Sequence, residues 1–361
     1  MGTPQILIDG YLLGKKSGFG RFVFELCHAI GTSDTDLSFD VAVPQNVDVS
    51  ALKSYPNINY IKLPRVIFPV WEQIVIPLLA SLKPYALVHF PYSTSAVLVP
   101  SKRRVVTVHD LTFLNRAADR DFKASLIHAY YESAFKFATK SARLLISVSD
   151  TTKDALADIN LSSRRIYNTV DAFLAVKRLD HATRPTPQYF LHRGSPAANH
   201  RNTDRVIEAF LTTPALSENF QLKIFGVGKG HERWGITEDQ PIEFLERVSD
   251  EDLAELYSNA IAVIAPSILE GFCLPIIEGF GFNTPVITSG INPMREIAGD
   301  AALLVDPLSV SEIAEAMVKM AFDTGTSEDC VLRGKRRMNA FNREVVAKDL
   351  LSSYLGLMQP A

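Results

Sequence analysis

Residues 260–281 read AIAVIAPSILEGFCLPIIEGFG. The run from Ala260 to Ala265 is continuously apolar and short, which reads as a strand covered on both faces. A loop carrying Glu270 and Gly271 follows. Pro275 then suits the first position of a helix, where its missing N–H has no partner to lose. Gly271, Phe272, Cys273 and Leu274 therefore precede a helix N-terminus. Their backbone N–H groups and the helix dipole suit a phosphate or diphosphate, and Gly271 permits close approach of the backbone. Glu278 falls about one turn into the helix and faces back toward the loop, where a carboxylate can accept hydrogen bonds from sugar hydroxyls. Glu270, on the loop itself, lies nearer any bound anion and must be aimed at something else, such as the hydroxyls of a sugar ring.

Strand, loop and helix in this order repeat along the chain. Earlier strands are expected at residues 5–9, 38–43, 58–61, 87–90, 104–108 and 144–148, with helices at 20–30, 70–82 and 121–139 between them. In the second half, strands are expected at 189–192, 221–225, 242–245, 260–265, 285–288 and 302–305, and helices at 202–211, 250–258, 275–281 and 310–322. Apolar strands without polar alternation belong to parallel sheets wrapped by helices, so the fold class is α/β with two doubly wound units. Residues 180–187 (DHATRPTP) hold two prolines and no bulky hydrophobe and read as a linker. The organisation expected is an N-terminal domain over 1–180, a C-terminal domain over 188–335 and a helical tail over 336–361 that can pack back on the first. Two such units create a cleft outside the carboxyl ends of their strands, where ligands bind.

Composition narrows the function. The chain has 361 residues, 47% hydrophobic and 21% charged, with a net charge of −3. That balance carries no electrostatic footprint for nucleic acid. No apolar run reaches the ~20 residues that cross a bilayer. The first residues lack a basic stretch followed by a long apolar one, so a cytoplasmic protein is expected. Cys27, Cys273 and Cys330 stand far apart, against structural zinc and a disulfide framework. The Asp34-Thr35-Asp36 triplet lies in a polar loop rather than after a nucleotide-binding strand, and reads as solvated. Asp250, Glu251 and Asp252 follow Ser249 as the acidic first turn of a capped helix. No metal site is expected.

The stretch from Glu270 to Glu278 resembles the E-x7-E motif of retaining glycosyltransferases of family 4 (group 1), which have the GT-B fold of two Rossmann-like parallel-sheet domains facing across a cleft. The resemblance extends to residues 281–289 (GFNTPVITS), 295–307, 248–257 (VSDEDLAELY) and 17–22 (SGFGRF), and residues 107–113 (TVHDLTF) match a segment of the mannosyltransferase-like members. It implies that Glu278 binds the ribose of a nucleotide, that Glu270 meets the 3- and 4-hydroxyl region of the transferred sugar, and that Gly271, Phe272, Cys273 and Leu274 offer amides to sugar and diphosphate. Cys273 occupies a place often held by glycine. Val248 joins the donor-binding set. The family's Lys is replaced by Arg201 and its Arg by Ser195, leaving Arg193 or His200 as substitutes for the second cation. Gly18 and Gly20 are expected in a loop that approaches the diphosphate, with Arg21 beside them. His109, at the end of a strand, approaches the donor sugar, with Asp110 next to it.

The resemblance implies a hexosyltransferase that needs neither cofactor nor metal. The expected donor is a nucleotide diphosphate sugar, GDP-mannose first, and the acceptor a saccharide or lipid-linked hydroxyl. A peripheral contact with the inner membrane face would use Lys102, Arg103 and Arg104 with the hydrophobes from Val66 to Trp71. Two other classes compete. A two-lobed sugar-binding protein would share the architecture and normally be exported. A nicotinamide enzyme would need G-x-G-x-x-G directly after the first strand, whereas Gly18 and Gly20 come late and lack the third glycine.

Overall fold

The computed structural model describes residues 5–15, 17–49, 54–111, 122–176, 186–195, 199–228 and 230–359. The chain divides into two compact units, 1–169 with 343–361, and 170–342.

The first unit is built on a parallel sheet in the order β3-β2-β1-β4-β5-β6-β7. Its strands are β1 (Gln5–Asp9), β2 (Ser38–Pro44), β3 (Ile58–Leu63), β4 (Leu87–Phe90), β5 (Arg104–Val108), β6 (Leu144–Ser147) and β7 (Arg164–Arg165). Successive side chains of β1 leave on opposite faces. Ile6 and Ile8 enter a core formed with Val23, Leu26 and Ile30 of α1 (Gly18–Gly31) and with Leu350 and Tyr354 of the C-terminal helix (Arg343–Met358). Leu7 enters the other core, with Trp71, Ile76, Phe135 and Leu156. That face is covered by an α turn (Phe68–Val70), a π turn (Trp71–Val75) and α2 (Ile76–Leu82), by α3 (Phe122–Ser141) and by α4 (Asp150–Asp158). Tyr354 and His89 are joined at 2.6 Å, and His89 and Thr107 at 2.7 Å, so the C-terminal helix is pinned to the sheet through buried polar groups.

The second unit has a parallel sheet in the order β10-β9-β8-β11-β12-β13, with β8 (Tyr189–Arg193), β9 (Gln221–Phe225), β10 (Ile242–Leu245), β11 (Val263–Ala265), β12 (Val286–Ser289) and β13 (Leu303–Val305). Its principal helices are α5 (Thr203–Leu211), α6 (Asp250–Asn259), α7 (Leu274–Gly281), α8 (Val310–Phe322) and α9 (Thr324–Arg337). A Cβ on Gly279 would come within 2.7 Å of Val286 and 3.1 Å of Val263. Only a bare backbone there lets α7 lie this close to β11 and β12.

The unit boundaries differ from those expected. The first falls at 169/170 rather than near 180, because the short helix Asp171–Leu174 buries Phe173 against Tyr257 and Phe282 of the second unit. The expected linker lies largely outside the described residues. The tail begins at Arg343, because α9 remains with the second unit through Arg337, whose guanidinium donates to the carbonyls of Ile297 and Glu296. The apolar run from Ala260 is shorter as a strand, starting at Val263, although Ile261 N already donates to Tyr189 O at 2.8 Å.

In each sheet the chain leaves its first strand in one direction and later returns on the other side, so a topological switch lies between β1 and β4 and between β8 and β11. Ligands of open parallel sheets bind outside the carboxyl ends of strands at such points. Asp9 ends β1 there. It is fully buried, accepting from Tyr11 N at 3.0 Å and Trp71 Nε1 at 2.8 Å, while its Oδ2 meets no hydrogen-bond partner among the described residues. Burial, with a contribution from Glu72, raises its pKa to about 7 from 3.8. A raised folded-state pKa gives stability that is complete below the unfolded value and lost as pH rises through the folded one. Asp9→Asn should match the parent at pH 4 and exceed it by ~2–4 kcal/mol at pH 8, read by denaturant unfolding across that range. Parallel pH profiles would refute the assignment.

Candidate active site

The site grows from the loops that follow β8 and β11. After β8 the chain passes Gly194 and Ser195 and enters a 3-10 turn (Asn199–Arg201), with Asn202 ahead of α5. Asn202 has φ 64°, a left-handed conformation that asparagine tolerates better than most residues. That conformation directs its buried side chain to donate to Pro266 O at 3.1 Å and Pro307 O at 2.5 Å. One amide thus ties together the loops after β8, β11 and β13. Ile268 N donates to His200 O at 2.7 Å, and Ser289 Oγ to Ser267 O at 2.5 Å. The loops at this sheet edge form one cross-linked surface.

The loop after β11 ends at Cys273, which caps α7 with φ 74°. The helix therefore begins at Leu274, and Pro275 takes its second position rather than the first. The left-handed cap explains the one-residue shift and why glycine suits this place. Gly271, Phe272, Cys273 and Leu274 are all buried. The first turn of a helix leaves its N–H groups without intrahelical acceptors, so α7 brings donors and the positive end of its dipole to this edge.

Arg201 is the cation of the site. Its Nε lies 3.5 Å from Glu270 Oε1, and its Nη1 donates to Gly194 O at 3.3 Å. Glu270 Oε1 is also 4.0 Å from His200 Nε2 and 3.5 Å from Ser267 Oγ. Burial lowers the Arg201 pKa, and the charge of Arg193 lowers it further, against the opposing pull of Glu270 and Glu278. The field of Arg193 also reaches Tyr257 and Cys273. Of the two substitutes the sequence leaves open for the second cation, Arg193 is the one that adds to the charge around Arg201.

Glu278 is nearly inaccessible at 2% exposure, and its Oε2 accepts a 2.6 Å hydrogen bond from the Tyr257 hydroxyl. Tyr257 comes from α6, whose N-cap Ser249 accepts from Asp252 N at 3.0 Å, as the acidic first turn requires. Val248 is half-buried just ahead of that cap. Tyr257 is a site residue that the sequence reading passes over. Its signal is position, on the buried face of α6 with Ala254, since a buried tyrosine needs a partner for its hydroxyl.

Arg193, Arg201, Glu270, Cys273 and Glu278 thus converge within the second unit. Ser195 is half-buried in the same loop. Gly18, Gly20 and His109 belong to the first unit. There the expected glycine loop is instead the first turn of α1, capped by Ser17, whose Oγ accepts from Gly20 N at 3.1 Å. A Cβ on Gly20 would stand 2.0 Å from Lys15 O and 2.8 Å from Leu12 O, so the glycine allows the preceding loop to cross the helix start. His109 follows β5 at the carboxyl edge, edge-on to Phe19 and Phe22 with centroids at 4.9 and 4.6 Å. Its Nε2 lies 2.9 Å from Pro91 O, which assigns the ring proton to that nitrogen. Burial lowers its pKa, so the ring is neutral at pH 7. Among the described residues no group of three or more His, Cys, Asp or Glu is placed to hold a metal.

Residues 17–172 match the family described as Glycosyltransferase Family 4, and residues 178–337 match Glycosyl transferases group 1. The chain belongs to the family 4, group 1 glycosyltransferases. It is 26% identical over 271 residues to O-antigen chain mannosyltransferase B of Escherichia coli, a match that covers 70% of each chain. It is 29% identical to O-antigen chain mannosyltransferase RfbU of Salmonella typhimurium over 57% of each chain. The solved structure of WaaG, a glycosyltransferase involved in lipopolysaccharide biosynthesis, superposes with a TM-score of 0.73 over 97% of this chain and all of that one, at 15% identity. That likeness establishes the GT-B fold of the two parallel-sheet units.

The cap of α7 gives a direct test of how this glycosyltransferase shapes its helix terminus. Cys273→Gly should keep the thermal midpoint within a few degrees of the parent. Cys273→Val places a β-branched residue at positive φ and should lose ~1–3 kcal/mol, read as a lowered midpoint by calorimetry. Equal midpoints for the two variants would contradict the left-handed cap.

Proposed function

We propose that this glycosyltransferase moves a mannosyl group, with retention, from a nucleotide diphosphate donor to a hydroxyl of a lipid-linked oligosaccharide or polysaccharide. The observation that carries this reading is the half-buried Arg201 guanidinium, pressed by desolvation and by Arg193 and held against Glu270 in the loop before α7. A cation in that position is relieved by an anion, and a diphosphate offers two adjacent anionic groups with bidentate geometry for arginine. The names of the two bacterial relatives support mannose, and GDP-mannose is the first donor.

In this reading the diphosphate lies against the amides of Gly271, Phe272, Cys273 and Leu274 and between Arg193 and Arg201, with Ser195 and Val248 on its nucleotide side. Glu278, fixed by Tyr257, takes the ribose hydroxyls. Glu270 turns from Arg201 to the 3- and 4-hydroxyls of the sugar when the diphosphate replaces it as the counter-charge. The bond between the anomeric carbon and the phosphate oxygen breaks first. The acceptor hydroxyl then attacks from the face the diphosphate leaves, and its proton passes to the departing phosphate oxygen. Arginines and helix amides stabilise the charge that develops on that oxygen, and the reaction requires no metal. Gly18, Gly20 and His109 are the site residues proposed in the first unit, His109 as a neutral hydrogen-bonding group.

Incubation of the purified protein with GDP-mannose, UDP-glucose or dTDP-sugars, followed by calorimetric titration, tests the donor. GDP-mannose should bind most tightly, and EDTA should leave binding unchanged. Failure of every nucleotide sugar to bind would remove the proposal. Arg201→Ala should reduce kcat/KM by roughly 100-fold or more through loss of a charge-assisted contact in the transition state. Arg193→Ala should weaken GDP binding while Ser195→Ala leaves it near the parent value; the reverse order would return the second cation site to the loop after Gly194.

A further inference from the structure

The helical segment from Phe68 to Leu82 covers one face of the first sheet with Trp71, Ile76, Leu79 and Ala80, all buried. A surface helix of this kind ordinarily turns charged residues to water. This one turns Ile74, Leu78 and Leu82, spaced four residues apart on its opposite side, and Leu82 is 78% exposed. The neighbouring loop continues the apolar face. Gln73 accepts from Val97 N at 3.0 Å, which seats Val97 and Leu98 against the helix, and Leu98 is 75% exposed. Ile67 extends the face at the start of the segment, at 69% exposure. Of the hydrophobes expected from Val66 to Trp71, Ile67 belongs to this surface, Val66 is half-buried and Trp71 is fully buried.

The sequence that carries the face is rich in basic residues. Between Asp48 and Asp110 the sequence holds seven lysines and arginines and a single acidic residue, Glu72. Glu72 is fully buried and accepts from Thr94, Tyr130 and Gln73, so it contributes no exposed carboxylate. Lys83 is paired with Asp40 at 2.8 Å, and Arg104 is buried on the Phe137 ring. Arg65, next to Ile67, and Lys102 and Arg103, just beyond Leu98, have no carboxylate partner among the described residues. The result is an apolar strip roughly 20 Å long with basic residues toward both ends.

We infer that this face, formed by Ile67, Ile74, Leu78, Leu82, Val97 and Leu98 with Arg65, Lys102 and Arg103, is a docking surface for an anionic lipid bilayer. A helix lying in the interfacial plane buries such a strip among the acyl boundary, while the flanking cations meet lipid phosphates. A protein partner would match the apolar strip but would also need a compensating acidic rim. A second copy of this chain would bring the same basic residues against themselves. The inference does not depend on the donor or acceptor assigned above.

Co-sedimentation of the full chain with vesicles tests it. Vesicles of phosphatidylcholine mixed with phosphatidylglycerol should bind the parent at least about tenfold more strongly than phosphatidylcholine alone, and added salt should narrow the difference. The triple variant Ile74→Ser, Leu78→Ser, Leu82→Ser should lose about tenfold or more in partitioning with an unchanged thermal midpoint, because every altered side chain is exposed. Lys102→Glu with Arg103→Glu should abolish the preference for anionic vesicles. Absence of vesicle binding by the parent, or equal partitioning of parent and triple variant, would overturn the inference. So would a parent dimer, seen by sedimentation velocity without lipid, that the triple variant dissociates, since a second copy would then cover the face.

Discussion

The half-buried guanidinium of Arg201 is the constraint around which this edge of the second unit is arranged. A charge removed from water is unfavourable unless it is paired and hydrogen-bonded. Here the compensation comes from three directions: the carbonyl of Gly194, the carboxylate of Glu270 and the more distant field of Glu278. Each group belongs to a different part of the sheet edge, so the balance holds only while the loops keep their spacing. Asn202 maintains that spacing with one amide across two carbonyls, and the Ile268–His200 bond closes the remaining gap. The packing of Gly279 on Val286 fixes the depth of α7, and with it the distance of the helix terminus from the cation.

The two sheets share a topology and differ in what stands at their switch points. The second carries arginines, a helix terminus and carboxylates that are not lodged in apolar surroundings alone. The first carries neutral or nearly neutral groups: an imidazole whose pKa burial depresses, and Asp9 with its pKa raised to about 7. Two arginines and a helix N-terminus are therefore gathered in the unit that the glycosyltransferase reading assigns to the diphosphate. A hydroxyl-bearing saccharide needs hydrogen bonds and apolar surface rather than net charge, and the aromatic rings around His109 are of that kind.

Local pattern carried much of this into the sequence. The limits of β1, β4, β5, β9 and β10 follow from short apolar runs between polar turns, and the Glu270–Glu278 spacing locates the site because strand, loop and helix all lie within one stretch. Tertiary facts were less legible. Whether Arg193 faces the site depends on how β8 ends beside Gly226 and Gly194, and no local pattern encodes that. The burial of Trp71 follows from a π turn that rotates the helix, which periodicity at 3.6 residues does not anticipate. The boundary at 169 depends on Phe173 finding Tyr257 and Phe282, a contact between residues far apart in the chain. Gly18 and Gly20 read in the sequence as a loop, whereas both lie in the first turn of α1 and Gly20 also allows the preceding backbone to cross the helix start.

Backbone strain supports the same partition between scaffold and site. Five residues other than glycine have positive φ among those described: Ser93, Asn160, Asn202, Cys273 and Asn283. Asn160 and Asn283 follow the ends of α4 and α7, the ordinary use of asparagine after a helix. The other three lie on loops at the carboxyl edges of the sheets. Ser93 follows β4, and its Oγ accepts from His109 N at 3.2 Å. Asn202 and Cys273 flank Arg201 and Glu270. Such conformations are unfavourable by of order 1–3 kcal/mol each and persist where surrounding contacts over-determine them. Cys273 is the telling case, since a glycine there would remove the strain, whereas the cysteine brings a buried side chain that fills the space beneath the helix terminus. The left-handed cap and the buried thiol together define the turn that leads into α7.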